Sequence, residues 1–183
     1  MNEIDLQILA DNQSPTGDSF LDELYEIEKA HYYRFLYRLV QRIQPNVVVE
    51  LGVQSGRSTA HIAGASLETR VIAIDPNPPE LGEKLKRYSN IDFRLDRSDS
   101  LSVLNSIPSN SVYICFVDTD HEYRQAVLET VLWRPKLKKG GIFVYDDISL
   151  NDGMKQFWTE LPLRKVSLPK LHWSGFGCAI LDS

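Results

Sequence analysis

The sequence predicts an α/β fold: a doubly wound, mostly parallel sheet of about seven strands, the last antiparallel, with helices on both faces. Three observations predict it. After Pro45, short β-branched apolar runs alternate with helical stretches. Five such runs, Val47–Leu51, Val71–Ile74, Ile91–Leu95, Val112–Val117 and Ile142–Tyr145, supply a central sheet, and right-handed crossovers order them. Glycines and acids gather immediately after these runs, where an open α/β sheet keeps its ligands.

The elements follow in chain order. Residues 1–18, with Asn12, Ser14, Pro15 and Gly17, have turn composition and no sustained period, so they are expected as a flexible arm. Over residues 19–43, Leu24, Ile27, Leu36, Leu39 and Ile43 recur at three- and four-residue steps, which predicts one amphipathic helix stopping before Pro45. Further helices start near Arg57, Leu81, Leu101 and Glu122, and Gly140-Gly141 reads as the tight break that returns the last long helix to a strand. Beyond Asp147, a short helix near Met154–Trp158 precedes two weaker runs, Arg164–Leu168 and Phe176–Leu181, expected as an antiparallel hairpin within residues 160–183. Residues 19–183 are thus read as one domain with its ligand-binding core in residues 46–147.

Composition narrows the function classes. A chain of 183 residues, 43% hydrophobic and 25% charged, can bury one sizeable core. Its net charge of -5 and its dispersed Lys and Arg argue against a large nucleic-acid footprint. No stretch approaches the roughly 20 apolar residues that a membrane helix needs. Cys115 and Cys178 lie in apolar runs without a Cys or His at zinc spacing, so they are read as buried, reduced and cytoplasmic.

The first run leads into Glu50-Leu51-Gly52-Val53-Gln54-Ser55-Gly56-Arg57-Ser58. Gly52 and Gly56 let the backbone approach a ligand, and the helix that follows turns its free N–H groups toward the same place. Asp75 ends the second run roughly twenty residues on, where an acid can accept both ribose hydroxyls of an adenosine. The glycine spacing departs from the G-x-G-x-x-G that a dinucleotide pyrophosphate needs. An adenosine ligand without a pyrophosphate satisfies both observations.

These residues resemble the first motif of class I methyltransferases, whose fold is Rossmann-like, and in particular the catechol and caffeoyl-CoA O-methyltransferase group. The resemblance covers roughly Asn46 to Asp147 and implies S-adenosyl-L-methionine as cofactor. By carry-over, Gly52 and Gly56 line its methionine part, Ser58 helps hold its carboxylate, Asp75 takes the ribose, and Glu50 of the same motif counts among the cofactor residues. Ser98 and Asp99 fall near the adenine, and Asp118 also borders the cofactor.

The fourth run ends in Asp118-Thr119-Asp120-His121-Glu122-Tyr123 and the fifth in Asp146-Asp147. Neighbouring strands would bring these acids to one edge, where they repel one another unless a cation neutralises them, and oxygen ligands of this kind suit Mg2+ or Ca2+. They resemble the metal-dependent O-methyltransferases and related bacterial enzymes, some acting on sugars, which implies Asp118, Asp146 and Asp147 as ligands of a divalent ion. His121 stands where that family has a catalytic lysine, so His121 and Asp118 are the catalytic candidates. A histidine can accept a hydroxyl proton at neutral pH.

Plainer readings stand beside these. Asp120 and Glu122 suit a helix start, Asp146 and Asp147 can simply end a strand, and Trp133, Trp158 and Trp173 more often fill a core than line a pocket. His172 and Trp173, in the poorly patterned segment 169–175, are placed on a loop that can border the substrate. The expected activity is methyl transfer to an oxygen of a small-molecule acceptor, with a second copy of the chain as a candidate for completing the acceptor site. Three alternatives are kept: an NAD-dependent oxidoreductase, a non-catalytic module that binds S-adenosylmethionine, and a hydroxylase relative.

Overall fold

The computed structural model describes residues 2–181. Among these, seven strands form one sheet: β1 (Val47–Leu51), β2 (Arg70–Asp75), β3 (Ile91–Leu95), β4 (Val112–Val117), β5 (Leu137–Asp146), β6 (Arg164–Ser167) and β7 (Phe176–Ile180). Their spatial order is β3-β2-β1-β4-β5-β7-β6. The first five are parallel, with Val49 of β1 opposite Ile72 on one side and Cys115 on the other. Winding reverses between β1 and β4, and in such sheets the crevice for ligands opens at the carboxyl ends of those two strands.

β7 runs antiparallel to both β5 and β6. Its first residue, Phe176, pairs with Asp146, the last of β5. The loop entering β7 is therefore delivered to the carboxyl edge, beside the acids that end β5.

Successive strand residues point to opposite faces, and the two faces build two cores. Val48, Ile114, Phe116 and Val144 pack with α3 (His31–Ile43) and α4 (Arg57–Ala65). Val49, Leu51, Cys115 and Phe143 pack with α5 (Leu101–Ser106), α6 (Tyr123–Trp133) and α7 (Asp152–Glu160), around the wholly buried Trp133. Helices thus cover both faces, as the sequence predicts.

Four expectations need correction. The segment read as a flexible arm holds α1 (Glu3–Asp11), opened by an Asn2–Asp5 capping box and anchored by Leu6 and Ala10 in the first core. The helix expected over residues 19–43 is two: α2 (Ser19–Glu28) ends where Lys29 turns left-handed at φ 56°, and α3 starts at His31. The stretch near Leu81 is a 3₁₀ turn, Gly82–Arg87. Gly140-Gly141 lies inside β5 rather than before it, because Pro135 and a 3₁₀ turn over Arg134–Lys136 already make the break.

The α2–α3 corner is tied down near the carboxyl edge. Glu28, the last residue of α2, pairs with Arg57 at the start of α4 and accepts from the Tyr33 hydroxyl. Tyr32 and Tyr33, in the first turn of α3, are consequently fixed above the crevice.

Candidate active site

The turn after β1 is held by a carboxylate. Asp75 Oδ2 accepts from the backbone N–H groups of Val53 at 2.8 Å and Gln54 at 3.1 Å, and Oδ1 accepts from Asn77 N–H at 2.8 Å. Burial opposes ionisation here, but these donors outweigh it and hold the carboxyl below the usual range. Gly52, at φ 83°, lets β1 lie against β4: a Cβ there would sit 1.9 Å from the Asp118 carbonyl oxygen.

Glu50 lies behind the turn and is wholly buried. Ser58 Oγ and Thr59 Oγ1 each donate to it at 2.5 Å. Burial is the main reason its pKa is pushed up to about 8, with these two donors opposing and the charges of Asp118 and Asp75 adding to the rise.

A cleft of about 410 Å³ runs along the carboxyl edge. Of the residues expected to bind cofactor, Gly52, Ser58, Asp75, Ser98 and Asp118 line it, together with His121. Three expected residues do not. Glu50 supports Ser58 from behind, Gly56 forms the N-cap of α4 with its α-carbon toward Leu85 and Pro79, and Asp99 pairs with Arg97 at 3.0 Å. Tyr32, Tyr33, Arg97, Thr119 and Gln125 line the cleft and were not singled out as cofactor residues by motif.

At the other end of the cleft, acids and histidines interleave. His121 Nε2 lies 3.1 Å from Asp118 Oδ1 and 3.3 Å from Asp147 Oδ2. His172 Nδ1 lies 2.7 Å from Asp146 Oδ1 and 3.3 Å from Asp147 Oδ1, and the Ser174 hydroxyl also donates to Asp147. His121 and Asp147 occupy the left-handed region, at φ 52° and 57°, which fixes the direction in which each side chain leaves its strand-end turn.

The charges shift one another. Burial lowers the His172 pKa, but the two adjacent carboxylates dominate and lift it to about 10. Burial and the charges of Asp118 and Asp147 push Asp146 up to about 6, against the pull of His172. Asp147 is held low despite its burial, by hydrogen bonds from His172 and Ser174. Burial disfavours the charged form of His121 as well, yet Asp118, Asp147 and Asp146 raise its pKa.

The set that can grip a cation differs by one member from the expected one. Among the described residues, Asp146, Asp147 and His172 each offer a ligand atom within 4.8 Å of one another. Asp118, the expected third ligand, is not part of that group and lies against His121, which Asp147 also contacts. Two carboxylates and an imidazole fit a divalent ion such as manganese better than magnesium, and His172 would have to release its proton to ligate.

A family model for a methyltransferase domain matches residues 49–148, more than half of the chain, and the chain belongs to that family. The fold is shared with solved methyltransferases. One from Geobacter sulfurreducens is 17% identical and superposes with a TM-score of 0.70 over 100% of this chain and 98% of its own. The O-methyltransferase from Bacillus cereus, in complex with SAH, is 19% identical with a TM-score of 0.68, over 98% of this chain and 97% of its own. TomG from Streptomyces achromogenes, an O-methyltransferase of tomaymycin synthesis in complex with SAM, is 15% identical with a TM-score of 0.67, over 100% and 97%. Uncharacterized protein y4gI of Sinorhizobium fredii is 26% identical over 159 residues, 76% of this chain. The chain spans 17% of the length of that relative. The resemblance to class I methyltransferases is borne out, and these matches give the nicotinamide alternative no support. No helix among the described residues is long and apolar enough to cross a membrane.

Proposed function

We propose that this chain transfers the methyl group of S-adenosylmethionine to an oxygen of a small-molecule acceptor. One observation carries the reading: a single cleft joins the Asp75-held turn to the Asp118–His121 pair, so an adenosine at one end and a reacting oxygen at the other can meet. The solved O-methyltransferases of this fold that hold SAM or SAH support it.

In this reading Asp75 takes the ribose hydroxyls, Ser58 the methionine carboxylate through its free backbone N–H in the first turn of α4, and Ser98 the adenine side, while Tyr32 and Tyr33 cover the cleft. The acceptor enters across a neighbouring cleft between residues 28–32 and 169–173, which shares Tyr32 with the first. Trp173 stands 84% exposed there, available to a planar substrate.

Asp118 and Asp147 hold the His121 proton on Nε2, which leaves the Nδ1 lone pair for the acceptor hydroxyl proton. The acceptor oxygen bonds to the methyl carbon, the carbon–sulfur bond breaks onto sulfur, and S-adenosylhomocysteine leaves. Asp146, Asp147 and His172 would hold a divalent ion, a group that keeps Asp146 and Asp147 of the expected set. Such an ion supplies a Lewis acid that favours the ionised acceptor oxygen. The buried, unpaired cysteines support a cytoplasmic setting.

Calorimetric titration with S-adenosylhomocysteine tests the cofactor assignment, followed by transfer of labelled methyl to a panel of hydroxylated acceptors. Micromolar binding with labelled product is expected. Binding without transfer to any acceptor supports the non-catalytic module instead, and absence of binding removes the reading.

A further inference from the structure

Beneath the cleft, where the reading above puts the adenine, lies a carboxylate that the methyl transfer itself does not use. Glu129, on α6, is wholly buried and does not line the cleft. Three donors from lining residues converge on it: the Ser98 hydroxyl, Thr119 Oγ1 at 2.8 Å and Gln125 Nε2 at 2.9 Å. Gln125 Nε2 also reaches Ser98 Oγ at 3.4 Å, and Trp133 Nε1 pins the Ser98 carbonyl at 2.9 Å.

A carboxylate accepts and does not donate. It therefore takes up the Ser98 and Thr119 hydroxyl protons and one Gln125 N–H, the other Gln125 N–H reaches Ser98 Oγ, and these three side chains keep only acceptor lone pairs for a ligand. The Gln125 amide is fixed in the same way: turned over, its carbonyl oxygen would oppose the Glu129 carboxylate. Among the described residues, no donor reaches Gln125 Oε1. Burial, with the charge of Asp120, raises the Glu129 pKa even against the three donors, which favour its ionised form.

We propose that Glu129 is a positioning residue that makes the cleft select a 6-aminopurine, by holding Gln125 with its carbonyl oxygen toward the exocyclic amine of the base. The inference rests on the S-adenosylmethionine reading and adds to it the residue pair that chooses the base. A 6-oxopurine presents an oxygen where the amine stood, so two acceptors face each other and one loses its partner. Sites that leave a polar group unpaired discriminate strongly.

The test is calorimetric titration of the full chain with S-adenosylhomocysteine and with its 6-oxo counterpart, S-inosylhomocysteine. The parent chain is expected to bind the amino form at least about tenfold tighter. Glu129→Gln, which frees Gln125 to turn over, should bring the ratio to within about threefold, and Gln125→Ala should do the same, with no further change in the double variant. A purely structural role for Glu129 would weaken both ligands alike and leave the ratio intact. Retention of the parent ratio in folded Glu129→Gln, or in Gln125→Ala should the first variant not fold, overturns the inference. Equal affinity of the parent for both ligands overturns it too while leaving the cofactor reading in place; no affinity for S-adenosylhomocysteine removes both.

Discussion

The carboxylate of Asp75 accepts the backbone N–H of Val53 at 2.8 Å, so the end of β2 shapes the turn that follows β1. The residue proposed to hold the ribose thus also builds the loop that flanks it. Asp75→Ala should lower affinity for S-adenosylhomocysteine by more than about tenfold and also lower the melting temperature, since two backbone donors of the turn lose their acceptor. Calorimetry and thermal unfolding on the same sample check this; lost affinity with an unchanged melting temperature would separate the two roles.

Gly52 offers a sharper structural test. A methyl group there meets the Asp118 carbonyl oxygen at 1.9 Å, on a backbone at φ 83°. Because the clash is with main chain at the join of β1 and β4, Gly52→Ala is expected to cost at least about 2–4 kcal/mol. Urea unfolding gives the value, and a loss under about 1 kcal/mol would mean that the strands can part there cheaply.

Glu50 gives stability a pH dependence. Its pKa rises from an ordinary 4.5 to about 8 on folding, so the native state binds the extra proton between those values. Its contribution is fully present below pH 4.5 and is lost as pH climbs through 8. Glu50→Gln should flatten that part of the stability profile, and parallel curves for parent and variant would show that the carboxylate is ionised throughout.

His121→Ala is expected to cut turnover by about a hundredfold or more while leaving affinity for S-adenosylhomocysteine within about threefold. Single-turnover methyl transfer and calorimetry provide the two readouts. Full turnover in the variant would pass the proton-accepting role to another group.

Chelation followed by metal addition addresses Asp146, Asp147 and His172. Manganese should restore turnover more than magnesium, because one donor is an imidazole. Unchanged turnover under chelation would take the cation out of the reaction, and a magnesium preference would argue for an all-oxygen ligand set.

The sheet was legible because the central parallel strands β1 and β4 are buried almost throughout and read as local apolar runs, while the half-buried edge strand β3 still alternates apolar and polar residues; all three fall on the expected residues. The turn after β1 and the acids after β4 and β5 were legible for the same reason, since a strand's end marks the ligand edge. Helix α1 was not, because nine residues carry little signal of their own and Leu6 and Ala10 gain their stability from tertiary packing. The break at Lys29 lacks glycine and proline, so nothing in composition announces a left-handed residue there. His172 could be placed near substrate but not against Asp146, because that contact depends on β7 lying next to β5 in the register that sets Phe176 opposite Asp146. Glu129 reads as an ordinary helix-surface acid until Ser98, 31 residues away, is folded beneath the cleft beside it.

The contact of Glu28 with Arg57 means that the two walls of the cleft share a fastening. Arg57 opens the helix that follows the turn after β1 and stands next to Ser58, while Glu28 closes α2 beside the neighbouring cleft. The proposed cofactor seat and the proposed acceptor entrance are coupled parts of one frame, so a substitution on either side is expected to register in assays of the other.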